Sequence, residues 1–294
     1  MKPKHQGGYT HSHADLCERT LVTLLRGLGP YKHSVYLAGG LVPRYLIARS
    51  TELGGPPMHV GTTDVDLVLD LEILAGIEAY RNLERNLAAL GFERGRNEHG
   101  QAQHHSWRKP IEDGVVVVDL LCDAAPGDDG RIMKLTGEGR LSALKIPGIH
   151  LVTIDHVPIE ITAELLNDRG MATEIVRVAG IASFIVLKAL AYEDRFEEKD
   201  AYDIIYCLMN YGDGPRAVAA AYRKLTSASS SDLLIKTAIE ILRARFSSDA
   251  TIAGARKDGP TSYARFLTDP GRPSLSAQHR QDAAAVVELF LAAL

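Results

Sequence analysis

The chain has 294 residues, 46% hydrophobic and 24% charged, a balance that excludes a disordered tail protein, a collagen and a coiled-coil rod. Its net charge of −4 is uneven: from Pro215 onward there are 11 Lys+Arg against 7 Asp+Glu, so an acidic front precedes a mildly basic tail. No apolar run reaches the roughly 18–20 residues that a bilayer crossing needs, and Met1–His13 is polar and His-rich, so a cytoplasmic protein with no membrane partner is expected.

The three cysteines, Cys17, Cys122 and Cys207, lie far apart with no CxxC pair and are expected to be reduced core thiols. In chain order, Val35-Tyr36-Leu37-Ala38 predicts a buried strand that turns at Gly39-Gly40. Leu41–Arg49 reads as a short helix, with Pro43 tolerable only in its first turn, and Gly54–Pro57 as a loop. Val65–Leu71 predicts a second strand, and Ile73–Leu90 a helix closed by Gly91. His104–Lys109 and Val115–Leu121 predict a hairpin across the turn-rich Pro110–Gly114, and Val157–Thr162 a further strand. After about residue 165 helical periodicity dominates, over Ile175–Asp194, Lys199–Tyr211, Pro215–Leu225, Ser231–Phe246, Ser262–Leu267 and Ser276–Leu294. The expected fold class is α+β: a mixed sheet with helices over 1–165, followed by a helical domain over 166–294.

The most informative stretch is Gly61-Thr62-Thr63-Asp64-Val65-Asp66-Leu67. Strand residues two apart project from one face, so Asp64 and Asp66 are side by side, with Val65 and Leu67 on the other face. Adjacent carboxylates repel; they mark either a solvent-exposed strand end or a divalent cation, and Mg²⁺ prefers such oxygens together with substrate phosphates. Asp119 interrupts the apolar run Val115–Leu121, where an unpaired buried carboxylate costs several kcal/mol. It is therefore expected at the sheet's edge, or facing a cation or a positive side chain. If a neighbouring strand carried it beside Asp64 and Asp66, the three would hold two metal ions.

The Gly39-Gly40 turn is either an ordinary tight turn or a place where backbone N–H groups approach phosphate, with Arg44 about one turn into the next helix. The P-loop pattern GxxxxGK[ST] and the dinucleotide pattern GxGxxG are both lacking, which disfavours those sites. Lys188 shares a helical face with Ile181, Phe184 and Ile185, so it either snorkels to solvent or aims a cation into a cleft. Asp200 and Asp203 share another face; a solvated helix start accounts for Asp200 better than for Asp203.

Taken together, Ala38-Gly39-Gly40 with Arg44, Thr62-Thr63-Asp64-Val65-Asp66, Lys188, and Arg195 through Lys199-Asp200 to Asp203 resemble the nucleotidyltransferase toxins of the AbiEii/AbiGii and mycobacterial Men type. These belong to the DNA polymerase β-like nucleotidyltransferase superfamily. The motifs span Ala38 to Asp203 in family order, and the last 90 or so residues match none of them. The resemblance implies an NTP substrate, one or two Mg²⁺ ions, and a helical domain that contributes Lys188 and Asp200/Asp203 to the cleft. It implies Asp64 and Asp66 as metal ligands, with Asp119 matching the third carboxylate in kind. It implies Gly39, Gly40, Arg44 and Thr62 at the nucleotide, Lys188 on the triphosphate, and Asp200 or Asp203 as the acid of the fourth motif. Leu41 departs from the pattern, since the superfamily often carries a hydroxyl after the glycines. The implied acceptor is RNA, a tRNA 3′ end in the Men-type toxins, with translation blocked and a cognate antitoxin restraining the enzyme. Two other readings remain: nucleotide transfer to a small molecule or a protein, and an inactive nucleotide-binding or antitoxin-like module. The complete acid set argues against the last, and the basic tail favours a nucleic acid.

Overall fold

The computed structural model describes residues 3–47, 58–70, 77–96, 99–111, 114–125, 127–128, 130–135, 141–229, 232–246, 252–267 and 275–294. The expected loop Gly54–Pro57 lies outside them. The fold is α+β, with a mixed sheet and a run of helices toward the C-terminus. Contacts divide the chain into two units, one of residues 11–42 and 61–179 and one of residues 1–10, 43–60 and 180–294.

The first unit holds the sheet. Its helices are α1 (His11–Leu28), α3 (Ile77–Ala89) and α4 (Leu151–Ile154); α2 (Pro43–Leu46) belongs to the other unit. Its strands are β1 (Val35–Ala38), β2 (Asp64–Leu69), β3 (Glu93–Arg96), β4 (Ala102–Ile111), β5 (Gly114–Asp123), β6 (Ile132–Lys134), β7 (Ser142–Ile146), β8 (His156–Glu164) and β9 (Met171–Ala179). Among the described residues the main path runs β3-β4-β5-β2-β1-β9-β8, with β7 on β5 and β6 on β7. The β4–β5 hairpin is antiparallel, whereas β2–β5 and β1–β9 are parallel.

Strand alternation sorts the sheet's faces. Val65 and Leu67 are fully buried on one face, and Asp64, Asp66 and Val68 occupy the other. The α1 helix covers the apolar face with Ala14, Cys17, Leu21, Leu24, Leu25 and Leu28, all at helical spacing and all buried. This helix went unanticipated in the sequence, as did β3, β6 and β7.

β9 corrects the sequence reading more sharply. Ile175 was expected to open a helix, yet Met171–Ala179 is a nine-residue strand and helix begins only at Ile181. The alternation there is inverted: Met171 and Ile175 are exposed, while Glu174 is 4% exposed on the α1 side. Arg26 (3.2 Å) and Lys32 (2.6 Å) hold that carboxylate and make its burial tolerable. A buried acid flanked by exposed aliphatics hides the period of two that marks a strand.

The second unit contains α2, α5 (Ile181–Arg195), α6 (Glu198–Asn210), α7 (Pro215–Ala228), α8 (Leu233–Arg245), α9 (Ile252–Ala255), α10 (Asp258–Leu267) and α11 (Leu275–Ala292). Pro43 is the first residue of α2, where its missing N–H costs nothing. The helix is shorter than expected, preceded by a 3-10 turn over Gly39–Leu41. The core of this unit is aromatic as well as aliphatic, built around Phe184, Tyr192, Tyr202, Phe246, Phe266 and Phe290. All three cysteines are buried and unbridged, as expected.

Candidate functional site

In the sheet unit, backbone register assembles the predicted acids. Asp66 on β2 lies opposite Ala38 of β1 on one side and Asp119 of β5 on the other. Parallel partners at matched positions present side chains to the same face, so Asp64, Asp66 and Asp119 share that face. Asp119 is not at the sheet's edge: β5 is an interior strand, between β4 and β2. It escapes the cost of full burial because it is only half-buried, and so is Asp66; Asp64 is 5% exposed.

Local chemistry orders this region. The Asp64 N–H donates to Thr62 Oγ1 (3.2 Å), and Thr63 Oγ1 donates to Asp64 Oδ1 (3.2 Å). Thr62, predicted at the nucleotide, thus caps the start of the acidic strand. Gly39 has φ +70°, a conformation that only glycine adopts without strain, and a Cβ there would fall onto Asp66 Oδ2. The glycine therefore makes room for the Asp66 carboxylate as well as for the turn. Ser106 of β4 stands opposite Asp119, and the neighbouring His105 feels that carboxylate electrostatically. Burial nonetheless pushes the His105 pKa down, Asp119 offsetting only part of the effect. Among the described residues, no three His, Cys, Asp or Glu side chains converge closely enough to hold a metal ion.

The helical unit holds the second set. α5 ends at Phe196 in a left-handed conformation (φ 51°), and α6 starts two residues later, returning Asp200 and Asp203 toward Lys188. Lys188 Nζ lies 2.7 Å from Asp200 Oδ1 and 2.8 Å from Asp203 Oδ2. Arg195 grips Asp200 with two N–H groups, Nε to Oδ2 (2.7 Å) and Nη2 to Oδ1 (2.8 Å). Asp203 Oδ1 also accepts from Lys199 and from His59 Nε2 (2.8 Å).

Lys188 does not snorkel: it is 9% exposed, and both aspartates are fully buried rather than at a solvated helix start. Burial works against the charge on Lys188, but Asp200 and Asp203 outweigh it and hold its pKa above the ordinary lysine range. Burial likewise works to raise the Asp203 pKa, yet Lys188, Lys199 and His59 hold the carboxyl well below its ordinary value. Asp200 is lowered too, by Lys188 and Arg195 against burial. Burial and the nearby Lys199 bring the His59 pKa down to about 4, so at neutral pH it is an uncharged donor.

His59 is a residue that sequence reasoning missed, and no local signal marks it, because its partner lies 144 residues away. Tyr202 and Tyr206 pack against its ring, and the Val60 N–H donates to Tyr202 Oη (3.3 Å). Arg44 sits half-buried on α2, in the segment grouped with the helices. The structure thus gathers Asp64, Asp66, Asp119 and Gly39 in one unit, and Lys188, Asp200 and Asp203 in the other. Comparison with protein-family models, curated proteins and solved structures finds no match to this chain.

Proposed function

We propose that this chain is a Mg²⁺-dependent nucleotidyltransferase toxin of the AbiEii/AbiGii and Men type. It transfers NMP from an NTP to an RNA acceptor, a tRNA 3′ end, and so blocks translation until a cognate antitoxin restrains it. The observation that carries this reading is the register that sets Asp66 opposite Asp119, with Asp64 on the same face. These three side chains offer only carboxylate oxygens, the donors that Mg²⁺ prefers, and in this reading the ion would draw together acids that do not yet converge on a metal site. When bound, Mg²⁺ offsets the charge of the triphosphate and makes an attacking hydroxyl more acidic.

The chain's own residues do the positioning. Thr62 fixes the backbone of Asp64, and the missing Cβ of Gly39 lets Asp66 hold its place. In this reading the backbone N–H groups at the Gly39-Gly40 turn meet phosphate oxygens. A triphosphate at Lys188 competes with Asp200 and Asp203 for the ammonium. The RNA acceptor is supported by exposed Arg216, Arg223 and Lys224 on α7 and Lys236 and Arg243 on α8, cations that suit a phosphate backbone.

The test is incubation with total RNA, Mg²⁺ and each labelled NTP in turn. Label in RNA is the expected result. Label in a small molecule or a protein replaces the acceptor, and label nowhere under any NTP removes the transferase reading.

A further inference from the structure

The acidic face of the sheet also carries a cation that the protein itself leaves unused. Arg108 of β4 lies opposite Val117 of β5, and Val117 lies opposite Asp64 of β2. Residues opposite one another across a ladder project to one face, so Arg108 stands level with Asp64 on the side of the carboxylates. From Asp119 it is one strand across, about 5 Å, and two residues along, about 7 Å, a separation that a single nucleotide can bridge.

Arg108 is exposed, and among the described residues its side chain has neither an ion pair nor a hydrogen bond; Glu93, opposite it on β3, is exposed as well and does not hold it. By contrast Arg19, Arg26, Arg94 and Arg131 of the same unit each hold a carboxylate. Gly95 of β3 gives the guanidinium clearance, since a Cβ there would fall 3.2 Å from Arg108 Nε and 3.1 Å from Ser106 Oγ. Toward the hairpin tip the same face turns apolar: Pro110 and Val115 pair with each other and both are exposed. A free guanidinium beside an apolar ledge suits a nucleotide, whose phosphate takes the one and whose base covers the other.

The chemistry of transfer says which nucleotide. The acceptor hydroxyl oxygen bonds to the α-phosphorus of the NTP while the bond from that phosphorus to the pyrophosphate oxygen breaks; pyrophosphate leaves, and the hydroxyl proton passes to water. Entering and leaving oxygens lie in line, on opposite sides of the phosphorus. With the NTP phosphates at the Gly39-Gly40 turn, on the β1 side of Asp66, the acceptor enters from the Asp119 side, where β4 lies. We propose that Arg108, with Pro110 and Val115, forms the subsite for the 3′-terminal nucleotide of the RNA acceptor, the guanidinium gripping its backbone phosphate. Arg108 is then a positioning residue, and its role rests on the nucleotidyl-transfer reading.

The test is steady-state transfer from labelled NTP to RNA by the full chain. Arg108→Gln is expected to raise the KM for RNA at least about tenfold and to leave the KM for NTP unchanged. Arg108→Lys, which keeps the charge, is expected to fall between Arg108→Gln and the parent. Val115→Glu, which sets an acid on the ledge and leaves Arg108 in place, is expected to raise the RNA KM as well. Without NTP, the anisotropy of a labelled RNA 3′ end reads binding directly, and in Arg108→Gln the slope of log affinity against log salt is expected to be shallower by about one. A parent that labels no acceptor under any NTP removes the transfer reading and this subsite with it. A parent that labels a small molecule or a protein overturns the subsite and leaves transfer standing. The subsite alone is also overturned if the parent labels RNA and Arg108→Gln keeps the parent's RNA KM and salt slope, or if its NTP KM rises together with its RNA KM.

Discussion

The two groups of acidic residues in this protein meet the same electrostatic problem in opposite ways. On the sheet, Asp66 and Asp119 face each other across neighbouring strands and are only half-buried. Between α5 and α6, Asp200 and Asp203 are fully buried, and Lys188, Arg195, Lys199 and His59 replace the lost water. A half-buried carboxylate keeps access to solvent and can exchange its partner. A carboxylate solvated by fixed cations is part of the frame.

The sharpest way to break that comparison is to remove one frame carboxylate. Asp203→Ala leaves Lys188 and Lys199 with one fewer counter-charge in a buried site and is expected to cost about 3–5 kcal/mol. Lys188→Met is expected to cost a similar amount, for the mirrored reason. Urea unfolding of both variants checks this; a loss under about 1 kcal/mol would mean that the cluster is solvated after all.

A second, smaller effect is pH dependence. His59 has a folded pKa of about 4, below its ordinary 6.5, so the unfolded chain binds the proton more readily. Stability is then full above pH 6.5 and declines as pH falls toward 4, by at most about 1.4 kcal/mol per pH unit. The lowered Asp200 and Asp203 act in the same direction, their contribution fading as pH falls below the ordinary carboxylate range. His59→Asn should flatten the melting temperature between pH 6.5 and 4.5, and an unchanged slope assigns the acid sensitivity elsewhere.

On the sheet the expected costs are lower. Gly39→Ala places a Cβ on Asp66 at a positive φ, for an expected loss of about 1–3 kcal/mol. Nucleotide transfer, where it occurs, is expected to fall further than stability does. The smallest stability effect belongs to Asp66→Asn, within about 1 kcal/mol of the parent and on the stabilising side, since it relieves repulsion with Asp119. The same variant should lose transfer entirely. A strongly destabilised Asp66→Asn would erase the distinction between the two carboxylate groups.

How much of this was legible in the sequence depends on the range of the interactions. The acidic strand could be read because its period of two lies within four residues, and the hairpin that supplies Asp119 because its turn is local. Lys188 and the Asp200/Asp203 pair were legible as a group, since one helix corner joins them. Their burial was not, because a helix start rich in charge looks solvated until His59, from far upstream, is placed on it. β9 was misread because Glu174 takes an interior position that depends on Arg26 and Lys32, more than 140 residues earlier. The α1 helix is legible in principle, as its apolar stripe is regular, but the polar, His-rich residues at its start mask where that stripe begins.

The interleaving of the two units along the chain bears on how the molecule can be made and cut. The chain passes between them at residues 10/11, 42/43, 60/61 and 179/180. Neither unit is therefore a continuous stretch that a single proteolytic nick or a single truncation could release. A fragment ending at Ala179 would possess every described strand, yet it would carry His59 without Asp203 and Val60 without the Tyr202 hydroxyl. During synthesis the same arithmetic applies in time. β1 must wait more than 130 residues for β9, its parallel neighbour, and His59 waits longer still for its aspartate. Such long-range closure slows folding and leaves the early segments dependent on partners synthesised much later. Limited proteolysis near residue 180 should thus yield pieces that stay associated or unfold together, rather than two stable domains.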